Sequence, residues 1–183
     1  MIEKNILNLI AIIGAIDDID KMRKKTLDLL RQIIWFDYGI FRICDPITWL
    51  SKGKPVSLGS SHKSLDYYVK YIYHKEESFK AYKGSKKLII NTSDTLNYYQ
   101  FTDIEISNES CKLFCMNYLN LIIRDNQKIY GSLCLLREKS TESFGGKECE
   151  ILTLIYPHLL NRLKWQYSFD SLNNQMLSLD TKN

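Results

Sequence analysis

Tyr118-Leu119-Asn120-Leu121-Ile122-Ile123-Arg124, then Asp125-Asn126-Gln127-Lys128, then Ile129-Tyr130-Gly131-Ser132-Leu133-Cys134-Leu135-Leu136-Arg137 is the stretch that decides the fold. Two strongly apolar runs of strand length flank a four-residue polar segment, the pattern of a β-hairpin. Poor alternation within each run predicts central strands buried on both faces rather than a sheet with one wet side.

Upstream, Tyr38 to Ile43 is rich in strand formers and ends at Asp45-Pro46, since proline cannot donate to a ladder. Gly53 and Pro55 bracket a turn, and Val56 to Gly59 is a short return strand that completes a hairpin. Leu88 to Asn91 is a short apolar run compatible with strand or turn. A helix is expected from Asp66 to Tyr82, and another from a cap at Ser107 or Asn108 through about Met116.

The two ends of the chain read as helices. Ile2, Ile6, Leu9, Ile10, Ile13 and Ile16 recur at helical spacing over residues 1–17, and Gly14, Asp17 and Asp18 mark a break. A second helix is expected over 20–35, its apolar face made of Met22, Leu27, Leu30, Ile33 and Ile34. The longest helical pattern occupies 147–169, with Pro157 inside it, where a missing N–H should bend the helix at a cost of roughly 3 kcal/mol. Residues 170–183 turn polar and read as a tail or linker, so 1–169 form one expected domain.

Composition narrows the class. The chain has 183 residues, enough for one domain with a substantial core, and its 8 Gly and 3 Pro are too few for a loop-rich protein. The net charge of +4 is dispersed in groups such as Lys21, Arg23, Lys24 and Lys25, which read as a solvated helix face rather than a nucleic-acid stripe. An odd count of 5 Cys, with no leader-like segment and no spanning apolar run, predicts a cytoplasmic, membrane-free protein. Cys111 and Cys115 share a helix face, but none of His62, His74 and His158 falls at ligand spacing near them, so no metal site is expected. His158 reads as a packing or hydrogen-bonding residue. No phosphate loop, dinucleotide fingerprint or nucleophile elbow is present, so no catalytic residue, cofactor or enzymatic activity is expected.

Helix, hairpin, irregular middle, two buried strands and a closing helix define an α+β layer around an antiparallel sheet. The C-terminal third, Tyr130-Gly131-Ser132-Leu133-Cys134-Leu135, then Arg137, Ser143-Phe144, Glu148 to Leu154 and Tyr156-Pro157-His158-Leu159, resembles the GAF domain that precedes the helix-turn-helix in LuxR-type transcription regulators. Asp94 to Tyr99 is similar to that family's segment ahead of its ligand-side helix. One departure is Gly145-Gly146 after Phe144, where family members often carry a capping Ser, Thr or Asp.

The resemblance implies terminal helices packed on one sheet face and irregular helices over the other. It implies an unknown small-molecule ligand in a cup lined by Tyr67, Tyr68, Tyr71, Tyr98, Tyr99 and Phe101, residues for which core packing is the stronger alternative, with Trp49 closing the cup or shielding the sheet. It implies a homodimer through the terminal helices, for which Ile2, Ile6, Ile10 and Ile13 would supply an exposed stripe. DNA binding would come only through a helix-turn-helix that these 183 residues do not contain. The expected function is the signal-input domain of such a regulator. The alternatives are a free-methionine sulfoxide reductase-like enzyme using Cys111, Cys115 or Cys134, and a ligand-free dimerisation module.

Overall fold

The computed structural model describes residues 2–59, 87–91, 116–126, 128–138 and 141–180. The order of elements is α1 (Ile2–Ala15), α2 (Ile19–Leu30), β1 (Tyr38–Ile43), β2 (Val56–Leu58), β3 (Ile89–Asn91), β4 (Met116–Asp125), β5 (Lys128–Glu138) and α3 (Gly146–Asp180). The strands form one antiparallel sheet in the order β2-β1-β5-β4-β3. The architecture is α+β, with all three described helices against the same sheet face. The expected helices at 66–82 and 107–116, and hence the layer over the second face, lie outside the described residues, although Met116 itself begins β4.

The decisive hairpin forms as its sequence predicts. β4 and β5 pair from Met116 opposite Glu138 to Asp125 opposite Lys128, with a bulge between Ile123 and Arg124. Asn126 takes the turn at φ 52, a left-handed conformation that asparagine tolerates. β5 lies at the centre of the sheet between β1 and β4, and every residue from Ile129 to Arg137 is buried except Cys134, which is half-buried. Gly131 is required there. A Cβ at this position would stand 2.4 Å from the Arg42 carbonyl oxygen and 3.1 Å from Leu163 Cδ1, so only glycine lets β1 and α3 both approach the strand.

On the helix side, Phe41, Leu119, Leu121, Leu133 and Leu135 meet Leu9, Ile13, Met22, Leu27, Leu30, Ile151, Leu152, Ile155 and Leu159 in one apolar core. Asp18 starts α2 by accepting from the N–H groups of Asp20 (3.0 Å) and Lys21 (2.9 Å), and the Lys21 bond first among its contacts lowers the Asp18 carboxyl below its ordinary value. The α-helical run then stops at Leu30 instead of near Trp35. Residues 31–33 form a turn, and Ile34 nevertheless stays in the core. β-branched Ile33 and Ile34 beside Trp35 make continuation of the helix unfavourable.

The Ile6, Ile10 and Ile13 stripe packs inside the chain: Ile13 is fully buried, and Ile6 and Ile10 are partly buried against the core. It therefore is not the exposed stripe expected from the sequence, because α3 lies alongside α1 and covers it. α3 is also longer than expected. It runs through Asp180, past the anticipated end at Phe169, so the polar segment begins as helix rather than as tail. Pro157 sits within that helix on its exposed side, where water can satisfy the carbonyl of Thr153 that lost its donor. His158 is likewise exposed, not packed.

At the start of α3, Gly145 offers no capping side chain, and Glu148 supplies the contact from the other direction. Its Oε2 accepts from the Gly145 N–H at 3.0 Å, which is half of a capping box. Its Oε1 accepts from Arg137 Nη2 at 2.9 Å, and Arg137 is buried, lies over the Phe144 ring at 4.1 Å and donates to the Trp35 carbonyl at 2.7 Å. One arginine from the central strand thus joins the end of α2's connection to the beginning of α3.

Candidate functional site

Strand pleating sends alternate side chains to the face away from the helices. Strand register places them in rows. Ser57, Ile40, Cys134, Asn120 and Ile90 stand side by side across all five strands. Arg42, Ser132 and Ile122 form the next row, and Tyr38, Leu136 and Tyr118 the row on the other side.

The borders are apolar. Ile40 and Leu136 pack with Tyr38, Tyr118 and Cys134, while Ile90, Ile122 and Ile129 pack with Trp49 and Tyr118. The centre is not. Arg42 is 4% exposed, Asn120 3% and Ser132 0%, and Arg42 Nε donates to Ser132 Oγ at 3.1 Å. Placing a guanidinium and an amide in the middle of a buried sheet costs free energy that leucine would not, since each polar atom must find a partner. Apolar walls around a few convergent polar groups are the composition of a small-molecule site.

Trp49 reaches this face from the loop after β1. Asp45 organises that loop, accepting from the N–H groups of Ile47 (2.9 Å) and Thr48 (2.8 Å), and its own N–H donates to the Leu50 carbonyl at 2.8 Å. The Thr48 bond, with that of Ile47 and the Thr48 hydroxyl, lowers the Asp45 carboxyl despite some desolvation. Trp49 is held at φ 67, a conformation unfavourable for a bulky residue, and its half-buried ring lies against Ile90, Ile122 and Ile129.

Tyr67, Tyr68, Tyr71, Tyr98, Tyr99 and Phe101 lie outside the described residues, as do Cys111 and Cys115. The residues that sequence reasoning passed over are Arg42, Asn120 and Ser132. Each is a polar residue at alternate positions of an otherwise apolar strand, a visible signal in the sequence. Among the described residues no group of three His, Cys, Asp or Glu side chains could hold a metal ion.

A second recess lies between α2, the loop at 52–54 and α3, and is lined by Arg23, Lys52, Tyr130, Gln166 and Asp170 among others. Its volume of about 120 Å³ is below the several hundred Å³ of ordinary ligand pockets. Two ion pairs already occupy it: Arg23 with Asp20, and Lys52 with Asp170. Arg23 Nη1 also donates to the carbonyls of Phe41 (3.1 Å) and Lys54 (3.2 Å), which makes it a strut between α2 and the first hairpin.

The sequence matches no family model and no curated protein. Solved structures do resemble the fold. The GAF domain of a phosphoenolpyruvate-protein phosphotransferase from Coxiella burnetii superposes with a TM-score of 0.65 at 14% identity, covering 93% of this chain and 96% of that one. The corresponding Acinetobacter domain gives 0.60 at 11% identity, over 91% and 94% of the two chains. An N-acylhomoserine lactone dependent LuxR family transcription factor, CepR2 from Burkholderia cenocepacia, gives 0.58 at 14% identity, over 90% and 98%. With β5 at the centre of a five-stranded antiparallel sheet and α3 across one face, this chain has the fold of a GAF domain.

Proposed function

We propose that this chain is a small-molecule-sensing regulatory domain, the signal-input part of a transcription regulator of the LuxR type. The observation that carries the reading is the buried polar cluster of Arg42, Ser132 and Asn120, framed by apolar side chains on the sheet face that no described helix covers. A ligand seated there meets hydrogen-bonding groups from β1, β4 and β5 at once, with Trp49 at its edge. Tyr67, Tyr68, Tyr71, Tyr98, Tyr99 and Phe101 close the cup in this reading, and the effector reads the arrangement of the terminal helices. A path runs from cup floor to helices: Arg42 pairs with Ser132 across β1 and β5, and the adjacent residue, Gly131, leaves no room for a Cβ beside Leu163 of α3. The required coupling is modest, about 1 to 3 kcal/mol of preference for one helix arrangement.

The test is mass spectrometry of freshly purified protein under native conditions, together with thermal shift across a metabolite library. A retained or stabilising compound is expected, with a smaller shift for Asn120→Leu and Ser132→Ala. A chain that binds nothing in either experiment refutes the reading.

A further inference from the structure

The loop after β1 touches both faces of the sheet. Its Trp49 indole packs against Ile90, Ile122 and Ile129 on the cup side. Three residues later, Lys52 forms an ion pair with Asp170 of α3, on the helix side. Between these anchors the loop is tied to itself. Asp45 Oδ1 accepts from the N–H groups of Ile47 and Thr48 and from the Thr48 hydroxyl at 3.1 Å, and the Trp49 N–H donates to the Asp45 carbonyl at 2.7 Å. The Cys44–Ser51 bridge joins this unit to the end of β1. A loop so closed on itself moves as one body, so a turn about that bridge carries Trp49 and Lys52 together.

The contacts continue past Asp170. Its Oδ1 accepts from Gln166 Nε2 at 2.8 Å, and Gln166 and Arg162 complete the series to the Asp17 carbonyl between α1 and α2. Polar contacts therefore run unbroken from the edge of the cup to the three described helices. Two features suit this loop to switching rather than bracing. Trp49 sits at φ 67, a strain that persists only while the contacts of the indole compel it. The side chains of Lys52 and Asp170 are 46% and 29% exposed, and an ion pair this wet adds little stability, so it opens at small cost.

We propose that the 45–53 loop is the lever between the cup and the closing helix. An occupant whose apolar part takes the place of the Trp49 indole against Ile90 and Ile122 turns the loop, opens the Lys52–Asp170 clasp and loosens α3 around Gln166. The identity of the trigger rests on the sensor reading, whereas the mechanical link belongs to the chain alone and is measured without any ligand.

Amide hydrogen exchange on the full chain reads the link from both ends. Trp49→Ala removes the indole and is expected to speed exchange at amides 166–170 by about threefold or more, as is Lys52→Met. Because both act on one linkage, the double variant should exchange no faster than the faster single variant. Ile47→Ala, exposed on the same loop, should leave these amides at the parent rate. In the other direction, Lys52→Met should speed exchange of the Trp49 amide. An α3 unchanged by Trp49→Ala, or additive effects in the double variant, overturns the proposal. If Trp49→Ala speeds exchange in β5 as well, it has disturbed the whole sheet, and Lys52→Met decides: a Trp49 amide at the parent rate then overturns the link. A chain that binds no compound yet shows coupled exchange refutes the sensor reading alone, and one that binds without coupled exchange refutes only the lever.

Discussion

Arg162 Nη2 donates to the carbonyl of Asp17 at 2.6 Å, so the middle of the closing helix grips the turn between the first two helices. The same nitrogen reaches the Ile16 carbonyl at 3.3 Å, and Nη1 donates to Gln166 Oε1 at 3.0 Å. These carbonyls follow the end of α1, whose last turn contains no basic residue. Arg162 therefore supplies, from 145 residues away in sequence, the cation that a helix C-terminus favours.

Arg162→Met keeps the aliphatic bulk and removes the donors. The loss should be about 2 kcal/mol, because the carbonyls are left without their buried cationic donor. In a chain of this length that corresponds to a fall of roughly 4 to 8 °C in melting temperature, measured by calorimetry. Faster amide exchange is expected in α1 than in the sheet.

Gly131→Ala tests the close approach of strand and helix. Its new methyl group collides with the Arg42 backbone oxygen, which cannot swing aside as a side chain can, and also crowds Leu163. Destabilisation by about 3 kcal/mol is expected in urea unfolding. An Ala variant as stable as the parent contradicts the contact.

Glu148 gives stability a dependence on acid. Burial tends to raise its carboxyl, but the Arg137 hydrogen bond and the N–H groups of Glu148 and Gly145 outweigh that, and the net shift is below the ordinary value of 4.5. A lowered folded-state value means that its contribution is complete above 4.5 and disappears as pH falls through the folded value. Glu148→Gln should cost about 2 kcal/mol at neutral pH. The gap between variant and parent should close on acidification, which denaturant titrations at neutral and strongly acidic pH would follow.

The strands were the most legible part of the molecule. Tyr38–Ile43 is a strand from end to end, and the 118–137 hairpin pairs around its polar turn, because β-formers bounded by Pro, Asp and Asn leave few alternatives. Helix ends were less legible. α2 stops before its β-branched residues, and α3 continues through Ser171, Asn173 and Asn174, polar residues of low helix propensity that show no apolar face to a core. Apolar periodicity identified both terminal helices without saying which stripe goes inside: Ile6, Ile10 and Ile13 are covered by α3, whereas Trp165, Phe169, Leu172 and Met176 are exposed. The polar cluster was hidden for a related reason. Reading β4 and β5 as uniformly apolar gave no weight to Asn120 and Ser132, although a buried amide or hydroxyl inside such a run is the departure that marks a site.

The strand order β2-β1-β5-β4-β3 has a consequence for how the protein is made. The first hairpin leaves the ribosome long before β5, yet β5 is the partner that completes β1 and separates it from β4. Ile40 and Cys134 must find each other across about half of the chain, an expensive loop to close. Until that closure, β1 has an open edge, and the nascent N-terminal half is the stage at which a chaperone, or an unwanted neighbour, finds an unpaired strand.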